Sequence, residues 1–341
     1  MPHRARAAET VPGTLVALAG PGEHAGSPSF PIGYLGVTWA GGGECGLRLR
    51  TAAGWSDWQP MPHGDAPEGE RCLSLVPANG ALEYEVQTPA GATDVRIVAI
   101  NTTDGSRRRA AGDVSIGLAM ADGARRGDFS FQTRAAWGAD EALRFGPDGT
   151  ETSPTEFFPV QALTVHHTVT PNNDPDPAAT VRAMYHFHTV GQAWGDIGYH
   201  LLIDEAGTVY EGRWSGDDPV PVFGGPPQDK PQMSNGSHVG GFNAGNIGIA
   251  LLGDLTAGGP TQAARDSLVE VLAALAAETG LDPLAEVDYV NPINGSTRRV
   301  PVISGHRDWA ATACPGDSFH PTLPGLRSDV AARLGRTSTA P

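Results

Sequence analysis

Cysteine, net positive charge and long apolar runs are all scarce in this chain of 341 residues. Its three cysteines, Cys45, Cys72 and Cys314, are too few for a disulfide framework. A bridge between Cys45 and Cys72 would leave Cys314 over, and a leftover thiol of that kind invites metal coordination. No stretch reaches the roughly 18 apolar residues needed to span a bilayer, so membrane insertion is not expected. Lys and Arg total 23 against 38 Asp and Glu, a formal charge of −15. Such a surface repels phosphate backbones and anionic headgroups, which argues against nucleic-acid binding and electrostatic membrane docking. The opening 22 residues contain arginines and a few apolar residues. Pro12 and Gly13 interrupt them, so no signal peptide is read there. Internal repeats are absent as well.

What is present is an apolar fraction of 40%, enough for a sizeable core, with 45 glycines and 29 prolines that favour short strands, turns and loops. The length suits two domains. Residues 1–28, rich in Ala, Gly, Pro and Ser, read as a flexible arm. Residues 29–118 carry short apolar or alternating runs at 32–39, 45–51, 54–60, 82–88 and 93–100. In the run 45–51, Leu47 and Leu49 alternate with Arg48 and Arg50, the period of a half-buried strand. This segment is expected to be a separate, smaller all-β sandwich-like domain, with Trp39, Trp55 and Trp58 filling its core rather than stacking on sugars. Residues 119–129 read as a linker, and the arginines at 107–109, 125 and 126 as a solvated connector.

Residues 130–336 change character. Strands are expected at 160–168, 198–204, 208–212, 246–253 and 299–306. Helices are expected from Pro177, with Asp176 as N-cap, over Thr261 to Thr279, and over Leu323 to Leu334. Alternation of strands and helices predicts an α/β class, a mixed central sheet flanked by helices. Residues 337–341 form a tail.

Eight of the 11 histidines fall between His166 and His320. His306 ends a strand, and Cys314 follows eight residues later across a loop of small residues. One more ligand from His166 or His167, at the end of another strand, would complete a His-His-Cys set of the kind zinc favours. Three protein ligands leave the fourth position for water, the arrangement of catalytic sites. Adjacent strand residues point to opposite faces, so one histidine of the pair at most serves as ligand.

Five motifs occur in order: VHHT (165–168), DIGYHLLID (196–204), VYEG (209–212), HVGGFNAGNIGIALLG (238–253) and GHRDWAATACPGD (305–317). Together with RAAWGA (134–139) they resemble the peptidoglycan recognition proteins and the zinc-dependent N-acetylmuramoyl-L-alanine amidases of the phage-lysozyme type. The resemblance implies one catalytic zinc held by His166, His306 and Cys314, with Tyr199 and Thr312 acting on the substrate. It puts His238, Trp214, His167 and Asn243 on the substrate groove. The remaining residues of note, His186, His188, His200 and His320, read as structural, and Asp308 and Trp309 as braces of the His306 loop.

The implied activity is hydrolysis of the amide between N-acetylmuramic acid and L-alanine. The implied setting is a secreted or cell-wall associated monomer whose partner is peptidoglycan. The alternative is a module that binds muramyl peptides without cutting them. Between Trp214 and His238 the chain departs from the family with a Pro/Gly-rich insert, expected to act as a lid or extra wall. The 29–118 segment more loosely resembles the N-terminal extension of secreted actinobacterial amidases.

Overall fold

The apolar runs at 32–39 and 93–100 become the two central strands of a four-stranded antiparallel sheet. In the computed structural model, residues 10–41, 43–61, 72–109, 129–217, 220–226 and 230–335 are described. The sheet runs in the order Leu15–Leu18, Thr93–Asn101, Ile32–Ala40, Cys72–Ala81. A second sheet joins Ala25–Gly26, Glu83–Gln87, Gly46–Thr51 and Gly54–Trp55, with Gln59–Pro60 also paired to Gly46–Thr51. Between the two sheets lie Leu35, Val37, Trp39, Leu47, Val76, Val86 and Ile97.

Two expectations are corrected here. Residues 10–28 are no loose arm, because Leu15–Leu18 pairs with Thr93–Asn101 and satisfies an edge that would otherwise expose its N–H and C=O groups. The sandwich is also not separate from the rest. Val98 and Ile100 point away from its core and pack with Tyr34, Leu73 and Leu75 against Ala183 and Phe187 of the C-terminal part. The unbroken apolar run Ile97–Ile100 carries this message, since a strand covered on both faces loses its polar alternation.

Phe187 seats so closely that a Cβ on Gly36 would lie 2.4 Å from its Cδ2. Replacing Gly36 by alanine should therefore cost about 1–3 kcal/mol of stability by overpacking. Urea denaturation checks this, and an unchanged midpoint would show that sheet and ring part without penalty.

Trp39 is fully buried, as expected, but Trp55 and Trp58 are 39% and 44% exposed. Alternation turns Arg48 outward, and its guanidinium lies 4.8 Å and 4.9 Å from the two indole centroids. Both rings therefore cover a cation at the surface instead of filling the core. Arg107 and Arg108 are not simply solvated: Arg107 Nε donates to Thr10 Oγ1 at 2.9 Å, and Arg108 donates to Gly138 O. Arg125, Arg126 and the expected linker, apart from Phe129, lie outside the described residues, as does the tail 337–341. Cys45 and Cys72 carry free thiols.

The C-terminal part is a six-stranded sheet in the order Phe131–Gln132, Val209–Glu211, Leu201–Ile203, Asn246–Leu251, Ala162–His167, Ile303–Gly305. All neighbours are parallel except Leu201–Ile203 with Val209–Glu211. Helices Gln262–Thr279 and Leu323–Arg333 cover one face through Leu268, Leu272, Leu326 and Val330. Helix Pro177–His186 covers the other through Val181, Met184 and Tyr185. The class is α/β, with an all-β layer added at the N-terminus.

Two local features depart from the expected elements. The run 299–306 divides, with Thr297–Pro301 pairing to Glu286–Val290 and Ile303–Gly305 joining the main sheet. Pro301 has no N–H to continue a ladder. Helix Pro177–His186 runs on into a π-helical turn, Phe187–Gly191.

Candidate metal centre

His166 and His306 sit side by side because their strands do. Ala162–His167 and Ile303–Gly305 are parallel neighbours with Val165 opposite Gly305, so both strands deliver a histidine at their carboxyl ends. Open α/β sheets place their ligands at this end. The chain then turns through His306–Asp308 and returns, and the Arg307 N–H donates to Cys314 O at 3.0 Å. That closure brings the thiol back to the strand ends.

One donor atom from each of His166, His306 and Cys314 lies within 4.8 Å of the others, and all three residues are buried. The His166 Nδ1 to Cys314 Sγ distance is 3.6 Å. A tetrahedral zinc with ordinary Zn–N and Zn–S bonds would separate such a pair by about 3.6 Å. The His167 backbone N–H donates to Cys314 Sγ at 3.4 Å and holds the sulfur at the strand ends. By spacing and donor chemistry, the cluster fits a divalent cation.

A second hydrogen-bond chain fixes which nitrogen of His166 faces the cluster. His238 Nε2 lies 2.9 Å from the carbonyl oxygen of Asn246, which only accepts. His238 therefore carries its proton at Nε2 and accepts at Nδ1, 3.0 Å from His166 Nε2. Its imidazole is held neutral by burial first, and then by the neighbouring histidines. His166 must donate from Nε2, which leaves the Nδ1 lone pair toward Cys314. Outer groups of this kind set the tautomer of metal-binding histidines.

Beside the cluster lies an open groove of about 210 Å³, lined by Leu73, His188, Trp194, Tyr199, Ser237, His238, Val239, Gly240, Asn243 and His306. The Amidase_2 family model, described as N-acetylmuramoyl-L-alanine amidase, matches residues 156–317. A human protein named N-acetylmuramoyl-L-alanine amidase is 31% identical over 173 residues, 49% of this chain and 24% of that protein. Peptidoglycan recognition protein 1 of Bos indicus is 30% identical over 169 residues, 48% of this chain and 70% of that protein.

The chain belongs to the peptidoglycan recognition protein and N-acetylmuramoyl-L-alanine amidase family. It spans about a quarter of the length of the amidases from human, Sus scrofa and Mus musculus. Among solved structures, Drosophila peptidoglycan recognition protein SD is similar at 26% identity and a TM-score of 0.40, covering 56% of this chain and 90% of that one.

Within this family member, the groove residues named from sequence divide into two groups. Tyr199 lines the groove with its ring 5.2 Å from that of His166. Asn243 and His238 are also there, and Asn243 Oδ1 accepts the backbone N–H groups of His238 and Val239 at 2.8 Å and 2.7 Å. Thr312 is half-buried, and its Oγ1 accepts the Cys314 N–H at 3.2 Å. His167 and Trp214, by contrast, are corrected. His167 projects through the opposite sheet face, where Nδ1 accepts the Leu255 N–H at 3.1 Å. Trp214 lies outside the groove beneath the Arg144 guanidinium, 4.0 Å from its ring centroid. Its position follows from its backbone N–H, which donates to Asp196 Oδ2 at 2.9 Å.

His188 and Trp194 are among the groove residues not legible beforehand. His188 was read as structural, yet it lines the groove. Its Nδ1 accepts the Gly198 N–H at 3.1 Å, so its proton sits on Nε2. Burial, followed by nearby Arg213, pushes its pKa down to about 3, which keeps it neutral. The π-turn re-aims this side chain, and helical spacing alone gives no hint of that. Trp194, its ring tilted against that of His188 with centroids 4.8 Å apart, was signalled only by its place two residues before the DIGY motif.

The family motifs are tied together by one buried ion pair. Arg134 of RAAW meets Asp196 of DIGY at 2.9 Å, with side chains 4% and 5% exposed. Asp196 Oδ1 also accepts the Ile197 N–H at 2.7 Å, which fixes the segment that carries Tyr199. Asp308 braces the ligand loop: Oδ2 accepts the Gly305 N–H at 2.8 Å, and Oδ1 meets His320 Nε2 at 3.0 Å. The insert after Trp214 is pinned at its far end, where Phe157–Pro159 pairs with Gln232–Ser234.

Proposed function

We propose that the chain hydrolyses the amide between N-acetylmuramic acid and L-alanine in peptidoglycan, using one zinc ion held by His166, His306 and Cys314. The supporting observation is the meeting of those three side chains beside an open groove. A closed structural site would need a fourth protein ligand, whereas a three-donor cluster next to a groove suits turnover. Zinc bound there would acidify a water and polarise the scissile carbonyl.

The chain's own groups stabilise developing charge, position the substrate and orient a ligand. Tyr199 donates its hydroxyl to the oxygen on which negative charge develops as the carbonyl becomes tetrahedral. Neutral His188 offers its Nε2–H to a substrate carbonyl and holds it in register. His238 keeps the His166 lone pair aimed at the cluster. The proposed setting is extracellular or at the wall, with the chain acting as a monomer on muramyl peptides. Among the described residues no helix is long and apolar enough to cross a membrane.

Turnover of muramyl tripeptide tests the proposal. Free peptide should appear, stop after chelation and return on adding zinc. Binding of the fragment with no release at any metal level would favour a recognition module instead. Replacing Tyr199 by phenylalanine should leave bound metal unchanged and lower kcat about 10²-fold, the effect of losing one oxyanion donor. An unchanged kcat would remove Tyr199 from the reaction.

A further inference from the structure

Of the described residues that line the groove, Leu73 alone comes from the N-terminal sandwich, far outside the segment matched by the family model. It lies on strand Cys72–Ala81. Alternation there turns Val76 and Ala78 into the sandwich core, and Leu73 and Leu75 toward the C-terminal part. Register fixes the position, with Leu73 opposite Thr38 and Leu75 opposite Gly36. Phe187 packs into this face, and the next residue in the chain is His188 of the groove. The appended sheet thus reaches the groove directly through Leu73 and indirectly through the seating of Phe187.

The rest of the lining is mostly polar or aromatic. Val239 is the other aliphatic residue, but it is fully buried and packs with Ala162, Tyr289 and Trp309. Leu73 is half-buried, so it is the aliphatic side chain left to meet a ligand. A muramyl peptide carries methyl groups on its acetamido, lactyl and alanyl units, all near the bond to be cut. Such groups gain from an apolar wall that excludes water.

We propose that Leu73 is a specificity-determining contact for muramyl peptides, so that the N-terminal sheet completes the substrate groove rather than serving as a detached accessory. This rests on the functional reading above. Truncating one aliphatic contact in a binding pocket changes discrimination by about 10-fold or more.

Calorimetric titration of muramyl tripeptide into the full chain, with turnover stopped by chelation, tests the assignment. Leu73→Ala should weaken Kd about tenfold. Val76→Ala, on the same strand but turned into the sandwich core, should lower thermal stability and leave Kd unchanged. Wild-type affinity in Leu73→Ala would overturn the proposal. So would an equal loss in Val76→Ala, because the effect would then come from sheet packing. Failure of the wild-type chain to bind the tripeptide at all would instead overturn the functional reading, and it is recognised before any variant is compared.

Discussion

Replacing Cys314 by serine should strip metal from the purified chain and reduce peptide release from muramyl tripeptide about 10³-fold. The expectation follows from what the sulfur does. Sγ lies 3.6 Å from the His166 Nδ1 lone pair and accepts the His167 N–H, and as a metal ligand it would bind as the thiolate. A serine hydroxyl stays protonated near neutral pH and offers a harder, weaker ligand. Losing the cation removes several kcal/mol of transition-state stabilisation, and about 4 kcal/mol corresponds to that rate change. Elemental analysis beside the rate assay separates the possible causes. A serine variant that keeps both its metal and its rate would show that the cluster is not the reaction centre.

Acid should unfold the chain well before carboxylate protonation becomes general. Burial is the first cause of lowered pKa values at His186, His188 and His200, which fall to about 4, 3 and 4. In the unfolded chain each reverts to the ordinary value near 6.5. As pH falls below 6.5, the unfolded state takes up protons that the folded state refuses. Stability is therefore fully present above 6.5, declines on the way down and levels only near the folded-state values. Each group contributes up to about 1.4 kcal/mol per pH unit in that window, or roughly 5 kcal/mol for the three between pH 7 and 5. Denaturant melts at pH 7, 6 and 5 read this directly. A flat midpoint over that range would mean that these imidazoles reach water in the folded state.

The ligand-bearing segments were legible because their chemistry and their strands coincide in the text. His166 ends an apolar strand, His306 follows another, and Cys314 is placed by a short loop. The pairing of Ala162–His167 with Ile303–Gly305 turns those three facts into one location. His188 was harder to read, because its direction depends on a π-turn that follows an ordinary-looking helix. His167 was misplaced on the groove although strand alternation points it away. Trp55 and Trp58 misled for another reason: composition alone does not show that an arginine, rather than the core, covers an indole. The contact of the sandwich with Phe187 was written in the sequence as the unbroken run Ile97–Ile100 and the small residue Gly36, but its partner lies about ninety residues or more further on.

That contact constrains how such a chain can change. Gly36, Val98 and Ile100 pack against the turn that carries His188, while Leu73 of the same sheet looks into the cleft. A substitution that retunes what fits the cleft must also satisfy an interior seam. The appended layer cannot be traded for another module without redrawing the cleft itself.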